Sequence, residues 1–279
     1  PLPRTRLPEI VTLYDVQHHD LPRFFSPPER ALRRLTYDAA ARRAAVVITP
    51  SEHSRERIVD VLAIPAERVE VVPGGIDRER FRTAPSAEDE LLGSLGLARP
   101  YIVYPANLWP HKNHERIIDA LAAVGDRELD LVLTGRTYGR IGPLLTRARR
   151  SGVGERVHHL GYLKPEVLPA IYRAARAMVF PSLYEGFGAP PLEAMACGCP
   201  VTSSTRGSLA EVCGDAALAL EPGSIESIAA AIEAIGFDDA LRNRLRIAGL
   251  EQARRFSWEA AAARHTAIYE RVAATSPAS

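Results

Sequence analysis

Two glutamates, Glu185 and Glu193, stand eight positions apart in the stretch YEGFGAPPLEAMACGCPV, residues 184–201. No other charged side chain lies between them, and glycine, proline and small apolar residues surround them. Residues eight apart can share one face of a helix, but the intervening glycines and prolines exclude a continuous helix. The pattern predicts instead a strand, a glycine-rich loop that holds Glu185, and a helix whose first turn holds Glu193.

A junction of this kind favours a phosphorylated ligand. It lies at the carboxyl end of a strand, where open α/β sheets bind ligands, and its glycines let the backbone approach closely. A helix N-terminus has free N–H groups and a partial positive charge that attract phosphate. A nearby carboxylate can accept hydrogen bonds from sugar hydroxyls. Simpler roles stay open, since Glu193 can complement the helix dipole and Glu185 can be a solvated loop residue.

Short β-branched runs alternate with helical patterns along the chain, which predicts βαβ units and parallel sheets covered by helices on both faces. The predicted strands are 9–15, 45–49, 68–72, 101–106, 129–135, 156–161, 177–181, 199–204 and 217–220. The predicted helices are 27–43, 52–62, 113–124, 141–150, 165–176, 190–197, 224–235, 238–255 and 257–274.

The two series of strands predict two domains of unequal completeness. We predict that residues 1–96 form a partial N-terminal Rossmann-like domain and a linker, because only three strands precede the weakly patterned segment with Pro85 and Gly93. Residues 97–256 form a complete Rossmann-like domain. Residues 257–279 form a C-terminal helix that crosses back to the first domain. We expect the N-terminal domain to be truncated at its start.

The composition is that of an ordinary globular protein, with 46% hydrophobic and 25% charged residues. The net charge is +1, and the basic residues are mixed with acids, which argues against nucleic-acid binding. No apolar run approaches the ~20 residues that cross a bilayer, and no signal peptide is recognisable. The basic residues are nearly all arginine, with Lys112 and Lys164 as the only lysines. This bias is typical of a GC-rich bacterial genome. The cysteine count, which is odd, fits a reducing compartment, so we expect a cytoplasmic protein.

Cysteine and histidine patterns do not predict a metal site. The three cysteines, Cys197, Cys199 and Cys213, are an odd number without framework spacing, which indicates small buried thiols rather than disulfides. The histidine pairs are His18/His19, His111/His114 and His158/His159. No acidic cluster accompanies these pairs in the sequence, so we expect no metal ligands among them.

The stretch FPSLYEGFGAPPLEAMACGCPV resembles the Glu-x7-Glu signature of retaining GT-B glycosyltransferases of family 4. Further blocks resemble that family in its own order: ITPSEHSRERI, VEVVPGGIDRERF, NLWPHKNHERIIDAL, LVLTG, LGYLKPEVLPAIY, SLAEVCGDAAL and FSWEAAAARHTAIYERV. Together they cover most of residues 9–274. The resemblance implies the GT-B fold, which has two Rossmann-like domains with parallel sheets. It implies that the domain in residues 1–96 is on the acceptor side and that the domain in residues 97–256 binds the nucleotide-sugar donor. It also implies retaining transfer of a hexose-type sugar from a nucleoside-diphosphate sugar to a hydroxyl, without an obligatory metal or other cofactor.

The family's site residues carry over by position. Glu185 is implied to face the donor sugar and Lys112 to neutralise the diphosphate, and these two form the implied catalytic set. Glu193 is implied to bind the donor ribose. The full implied donor-binding set is Asn107, Lys112, Tyr162, Leu163, Glu185, Gly186, Phe187, Gly188, Leu192 and Glu193. For Lys112 the plain alternative is an exposed loop lysine.

The chain also departs from the family pattern. Asn107 stands where many relatives carry an arginine, so one phosphate contact is lost or His111 partly replaces it. Tyr14 takes the place of a usual histidine, and Asp15 and His18 are candidates for lining the cleft. A glycine-rich acceptor loop and an upstream histidine are not found, so they precede residue 1 or do not exist.

The resemblance leaves the substrates and some alternatives open. The donor is a GDP-, UDP- or ADP-sugar, and the acceptor is a glycan, a lipid-linked glycan or a small molecule. Such acceptors are compatible with peripheral contact at the inner face of the plasma membrane, although we expect the contacting face to lie outside this chain. The alternative functions are a non-catalytic nucleotide-sugar binding module or inactive remnant, and a GT-B epimerase.

Overall fold

The computed structural model describes residues 7–97, 99–125 and 128–274, and these form two compact units. The N-terminal unit comprises the described residues up to Gly75, together with Tyr184–Phe187 and those from Phe256 onwards. The C-terminal unit comprises Ile76–Leu183 and Gly188–Arg255. Residues 1–6 and 275–279 of the predicted domains lie outside the described residues. The predicted domain boundaries themselves stay a prediction.

The N-terminal unit contains a parallel sheet of three strands in the order β1-β2-β3. The strands are β1 (Ile10–Thr12), β2 (Val46–Thr49) and β3 (Val69–Val71). The helices are α1 (Gln17–Asp20), α2 (Pro27–Arg33), α3 (Ala39–Arg43), α4 (Glu52–Leu62) and α12 (Trp258–Ala274). A π-helical segment, Arg34–Asp38, joins α2 to α3, so the predicted helix 27–43 is present with one widened turn.

Local sequence signals explain where the N-terminal helices begin. Ser26 and Glu29 form a capping box at α2, with the Ser26 backbone N–H donating to Glu29 Oε2 at 2.7 Å. Ser51 caps α4 by accepting a hydrogen bond from the Ser54 N–H at 3.1 Å. The predicted helix 52–62 is therefore confirmed to the residue.

The last helix packs on the three-stranded sheet although it lies near the other end of the chain. Its buried positions are Ala261, Ile268 and Val272, which share one apolar cluster with the strand residues Val46 and Ile48. The spacing of seven and four residues places all three helix positions on one face. The C-terminal helix thus supplies part of the core of the N-terminal unit.

The C-terminal unit contains a parallel sheet of six strands in the order β6-β5-β4-β7-β8-β9. The strands are β4 (Tyr101–Pro105), β5 (Asp130–Thr134), β6 (Val157–His159), β7 (Ala177–Phe180), β8 (Val201–Ser204) and β9 (Ala217–Leu220). The helices are α5 (His114–Ala123), α6 (Ile141–Arg150), α7 (Leu168–Ala174), α8 (Ala189–Ala196), α9 (Leu209–Cys213), α10 (Ile225–Phe237) and α11 (Asp239–Ala253). The strand order reverses between β4 and β7, and open α/β sheets bind ligands at such a switch point.

The predicted α/β fold with parallel sheets is confirmed, and the strand counts of three and six match the two predicted series. Strands β5, β7 and β8 are buried along their whole length, as continuous apolar runs require. The short helices α1 and α9 were not predicted. Among the described residues, no helix combines the length and apolar character needed to cross a bilayer.

The segment after Gly75 packs in the C-terminal unit, although the sequence analysis treated it as part of a linker. The Arg173 guanidinium binds Asp89 Oδ1 at 2.5 Å and Ser86 Oγ at 2.9 Å. The ring of Phe81 stacks on Tyr172 with centroids 6.2 Å apart. These contacts involve residues 84 to 91 positions apart in sequence, which no local pattern could show.

Candidate functional site

The loop after β4 places Lys112 at the switch point of the six-stranded sheet. A short 3-10 turn, Pro110–Lys112, ends the loop. The Lys112 carbonyl accepts a hydrogen bond from the Tyr104 hydroxyl at 2.6 Å, and its N–H donates to the Trp109 carbonyl at 2.9 Å. The Lys112 ammonium lies 5.6 Å from the centroid of the Phe180 ring. Its backbone is therefore fixed, and its charge lies near the end of β7.

Asn113 ties this loop to the neighbouring strand, and the sequence analysis did not single it out. Its side-chain amide donates to the carbonyls of Pro181 at 3.0 Å and Pro222 at 2.8 Å. Its φ of 64° is left-handed, a conformation that asparagine tolerates better than most residues. The Leu183 N–H also donates to the His111 carbonyl at 2.8 Å. The loops after β4 and β7 are thus held together at the switch point.

The two histidines beside Lys112 are neutral at neutral pH. Burial lowers the pKa of His111 to about 3, with a contribution from the Lys112 charge. Burial likewise lowers the pKa of His114 to about 3, and its Nε2 lies 3.2 Å from the Ala106 carbonyl oxygen. A neutral His111 can form a hydrogen bond but does not supply the charge of the arginine that Asn107 replaces.

The helix α8 begins directly after the loop that follows β7. Gly188 precedes it with φ 99°, and a Cβ there would meet Leu209 Cδ2 at 2.6 Å, so glycine is required. Pro190 and Pro191 lie in the first turn, as predicted. Because proline lacks an N–H group, this helix start offers fewer donors to a phosphate than an ordinary one. The side-chain charge of Lys112 gains importance for that reason.

Glu193 is a half-buried carboxyl on α8. The Tyr172 hydroxyl lies 3.4 Å from Glu193 Oε2. Burial raises the pKa of Glu193 to about 7, while the Tyr172 hydrogen bond and the Arg80 charge act in the opposite direction. A carboxyl with such a pKa can change between hydrogen-bond acceptor and donor near neutral pH.

The loops after β4, β5 and β6 are joined at their bases. The side-chain oxygen of Asn107 accepts from the Arg136 N–H at 2.7 Å, and Gly135 N–H donates to the Gly161 carbonyl at 2.7 Å. Gly135 has φ 116°, and a Cβ there would lie 2.7 Å from the Ala106 oxygen. Asn107, predicted to bind the donor, therefore has a backbone-organising contact of its own.

Tyr162 and Leu163 follow β6 at the same edge of the sheet. Tyr162 is 60% exposed, and the Arg136 guanidinium lies 4.9 Å from its ring centroid. In the loops after β4 and β5, the rings of Trp109 and Tyr138 stack with centroids 4.2 Å apart. Tyr162 belongs to the predicted donor-binding set, whereas the Trp109–Tyr138 pair was not identified from the sequence, because stacking between separate loops leaves no local pattern.

The first part of the Glu-x7-Glu stretch belongs to the N-terminal unit. The Gly186 carbonyl accepts hydrogen bonds from the Ser51 hydroxyl at 2.8 Å and the Ser54 hydroxyl at 3.2 Å. A Cβ at Gly186 would lie 2.6 Å from the Tyr14 carbonyl oxygen. Close backbone packing therefore requires this glycine.

Asp15 lies in the same unit as Glu185. Burial raises the pKa of Asp15, and the negative charge of Glu185 adds to that effect, whereas the Gln17 N–H and the Arg33 charge lower it. Asp15 Oδ1 accepts from the Gln17 N–H at 2.9 Å. The ring of Phe187 packs edge-on to Phe256, with centroids 5.8 Å apart.

His18 binds a residue that the sequence analysis did not connect with it. His18 Nε2 lies 3.0 Å from Asp38 Oδ1, and His19 Nε2 lies 2.7 Å from Asp38 Oδ2. His18 and Asp38 are almost completely buried, and burial lowers the pKa of His18. These three side chains offer potential metal-ligand atoms within 4.8 Å of one another, and no other such group is found among the described residues. Since each carboxylate oxygen already faces one imidazole, the trio joins α1 to the π-helical segment.

The three cysteines are free and buried. Burial raises the pKa of the Cys197 thiol to about 12 and that of Cys213 to about 12, and it raises the pKa of Cys199 as well. The predicted character of small buried thiols is confirmed.

Comparison with known proteins decides the family. The model described as "Glycosyl transferases group 1" matches residues 93–252, more than half of the chain, and the one described as "Glycosyltransferase Family 4" matches residues 2–80. The chain belongs to the glycosyl transferases group 1 family. The predicted resemblance to family 4 GT-B enzymes is thereby confirmed.

Individual relatives agree with that family. O-antigen chain mannosyltransferase B of Escherichia coli is 33% identical over 266 residues, which cover 91% of this chain and 68% of that protein. The serotype-specific mannosyltransferase WbdA of Escherichia coli is 30% identical over 223 residues, which cover 77% of this chain and 27% of that protein. Among solved structures, Anabaena HepE in complex with UDP and glucose has a TM-score of 0.83 and 25% identity, covering 95% of this chain and 72% of that one.

The structure distributes the predicted site residues of this glycosyl transferases group 1 chain over both units. Asn107, Lys112, Tyr162 and Leu163, with Gly188, Leu192 and Glu193, lie in the C-terminal unit. The rest of the predicted set, Asp15, His18, Glu185, Gly186 and Phe187, lies in the N-terminal unit. Within the C-terminal unit, hydrogen bonds join the loop that holds Lys112 to residues 181–183, which directly follow β7. Glu193 lies on α8, the next helix along the chain. The role of each residue towards a ligand stays a prediction.

Proposed function

We propose that this chain binds a nucleoside-diphosphate sugar in its C-terminal unit and transfers the hexose, with retention of configuration, to a hydroxyl of a glycan acceptor. The observation that carries the proposal is the fixed position of Lys112 at the switch point between β4 and β7. A lysine whose backbone is fixed by hydrogen bonds at the carboxyl ends of the strands can bind the negative charge of a diphosphate.

The sugar and the acceptor are inferred from the relatives. Two of them are named mannosyltransferases, and one of these is named for the O-antigen chain. A solved neighbour holds UDP and glucose. We propose mannose as the transferred sugar and a polysaccharide chain as the acceptor. We propose a UDP-, GDP- or ADP-sugar as the donor and include TDP as a fourth nucleotide in the binding test.

In the proposed reaction the bond between the anomeric carbon and the diphosphate oxygen breaks while the acceptor oxygen bonds to the same carbon. The acceptor proton passes to the departing phosphate. Charge builds on the diphosphate, and Lys112 stabilises it in place of a divalent metal, a form of electrostatic preorganisation. The start of α8 adds its dipole, although Pro190 and Pro191 leave it few N–H donors.

The two glutamates hold hydroxyls in this proposal rather than attack the sugar. Glu193 accepts hydrogen bonds from the ribose, and Glu185 faces the donor sugar. The anomeric carbon becomes oxocarbenium-like, as in glycoside hydrolysis. A covalent sugar adduct on Glu185, detected by mass spectrometry after incubation with a nucleotide sugar, would contradict this assignment.

Thermal unfolding with saturating UDP, GDP, ADP or TDP tests the donor site. A ligand at ~100 times its dissociation constant adds about 2.7 kcal/mol to the free energy of unfolding, which raises the melting temperature. We expect one nucleotide to give the largest shift and so to identify the base. No shift with any of the four would overturn the proposed site.

Activity separates a transferase from a binding module. The mannose derivative of the selected nucleotide is incubated with the chain and mannose oligosaccharides, and product is followed by mass spectrometry. We expect an oligosaccharide longer by one hexose, with the new linkage in the configuration of the donor. Nucleotide binding without transfer or donor hydrolysis would favour the alternative of a non-catalytic binding module.

A further inference from the structure

A fully buried tyrosine, Tyr172 on α7, directs its hydroxyl at the carboxyl of Glu193 on α8. The hydroxyl oxygen lies 3.4 Å from Glu193 Oε2, and within the described part of the chain neither of these two polar groups has another hydrogen-bond partner. A buried phenol hydroxyl normally donates to an acceptor. The Glu193 carboxyl is the acceptor that the fold provides for Tyr172.

The packing around Tyr172 limits where its hydroxyl can lie. The ring stacks on Phe81 with centroids 6.2 Å apart. The residue before it on α7, Ile171, is anchored through its carbonyl, which accepts a hydrogen bond from the Tyr101 hydroxyl at 2.9 Å. Because interiors are closely packed, the phenol cannot turn away from Glu193 without disturbing the core of the C-terminal unit.

The contact has consequences for the Glu193 carboxyl. Oε2 faces the phenol, which leaves Oε1 for a ligand. A donated hydrogen bond favours the ionised form of a carboxyl, and the charge of Arg80 acts in the same direction, against the effect of burial. The nearby Cys197 thiol is neutral, since burial raises its pKa to about 12. Tyr172 therefore favours a carboxylate that accepts hydrogen bonds.

We propose that Tyr172 is a positioning residue for ribose recognition, whose hydroxyl holds Glu193 Oε2 so that Oε1 accepts hydrogen bonds from the donor ribose. This inference rests on the proposed function, in which Glu193 binds the ribose. Tyr172 is buried too completely to touch the nucleotide, so it acts through Glu193. A separation of 3.4 Å is long for an O–H···O bond, and such bonds often shorten when the substrate is bound.

Tyr172→Phe tests the proposal, because it removes the hydroxyl and keeps the ring. The unmodified chain and the variant are titrated calorimetrically with UDP, GDP and ADP, and with the dideoxy form of each, whose ribose lacks both free hydroxyls. We expect the unmodified chain to prefer the ribose form of its nucleotide by roughly tenfold or more, and Tyr172→Phe to lower that preference by roughly three- to tenfold. Affinity for the dideoxy form should stay unchanged.

Two further variants serve as controls. Tyr101→Phe removes another buried tyrosine hydroxyl that contacts α7, and it should keep the full preference for ribose. In a chain that already carries Glu193→Gln, Tyr172→Phe should change the preference no further, because the effects of residues that act through one another do not add. Melting temperatures check that all variants fold.

The pH dependence of binding supplies a readout that a merely structural tyrosine would not move. The preference for ribose should decline as the pH falls below about 7, because Glu193 then gains a proton. Tyr172→Phe should move this decline to higher pH, since the lost hydrogen bond no longer favours the ionised carboxyl. The dideoxy nucleotide carries the same phosphates and corrects for their titration.

The possible failures of the inference and of the proposed function can be told apart. Equal affinity of the unmodified chain for ribose and dideoxy forms would overturn the assignment of Glu193 to the ribose, and the role of Tyr172 with it. A preference that survives Tyr172→Phe intact, with its decline at the same pH, would overturn the role of Tyr172 alone. A loss of preference that is equally large with and without Glu193→Gln would also overturn it, because the hydroxyl would then act independently of the carboxyl.

Discussion

The two parallel sheets of this chain are completed in different ways. The six-stranded sheet takes all its strands from residues 101–220, and its covering helices come from the same stretch and the residues just after it. The three-stranded sheet obtains part of its cover from α12, whose Ile268 packs with Val46 and Ile48 from more than two hundred positions earlier. The C-terminal unit therefore contains the predicted phosphate-binding elements on a sheet of its own, whereas the N-terminal unit depends on contacts between distant parts of the chain.

The largest loss of stability is expected when the packing of α12 on the three-stranded sheet is disrupted. Ile268→Ala removes a side chain that is 2% exposed and should cost the N-terminal unit about 2–5 kcal/mol. Tyr269→Ala, at the adjacent and 51%-exposed position, is the matched control and should cost far less. Urea denaturation with hydrogen exchange measures both. Equal costs for the two variants would mean that α12 contributes no core to this unit.

A second test concerns the close backbone contact between Gly75 and Trp258. A Cβ at Gly75 would lie 2.1 Å from the Trp258 nitrogen, and the neighbouring backbone cannot move cheaply. Gly75→Ala should therefore cost about 3 kcal/mol, the upper end for overpacking. Gly142→Ala on α6, where a Cβ meets nothing within 4 Å, should be neutral or stabilising. Thermal melts compare the two, and an unaffected Gly75→Ala would contradict the close approach.

Lys112→Ala tests the binding chemistry assigned to the C-terminal unit. Loss of one charge-assisted contact should weaken nucleoside diphosphate binding by about 10- to 100-fold. Binding of the parent nucleoside should change little, since the lysine is assigned to the phosphates. Lys164→Ala, at the other lysine of the chain, serves as the control. Calorimetric titration measures both ligands, and equal losses for nucleoside and nucleotide would refute the phosphate role.

The smallest effect is the contribution of Glu193 to the pH dependence of the free energy of unfolding of the C-terminal unit. Its folded-state pKa of about 7 exceeds the ordinary value of 4.5. The folded chain thus keeps a proton that the unfolded chain has lost, and stability falls as the pH rises between these values. We expect a loss of about 1–2 kcal/mol, because solvent screens part of the effect at a half-buried carboxyl.

Glu193→Gln should remove that part of the pH dependence. Urea denaturation of both proteins across the interval measures it. A slope that persists unchanged in the variant would assign the titration to another group. A difference between the two slopes with the opposite sign would show that Glu193 is ionised more easily when folded than when unfolded.

Much of the fold was readable because each sequence signal acts locally. Ser51 marks the start of α4, and Pro190 with Pro191 marks the start of α8. The β-branched runs locate the strands, with boundaries correct to within one to three residues. Glu185 and Glu193 were separated into loop and helix by the glycines and prolines between them. The sequence blocks, in their order along the chain, are sufficient to indicate the family.

Tertiary structure decided what depends on distant partners. The clamp of Asp38 on His18 and His19, the anchoring of the Lys112 loop by Asn113 and the packing of Ile268 join residues whose spacing carries no periodic signal. The pKa values of His111 and Glu193 are likewise set by burial, which a linear sequence does not contain. The sequence by itself thus determined the helices and strands, through local propensities, and the family, through the ordered sequence blocks. Burial and long-range hydrogen bonds determined the charge states and which loops meet, because both depend on how the elements pack.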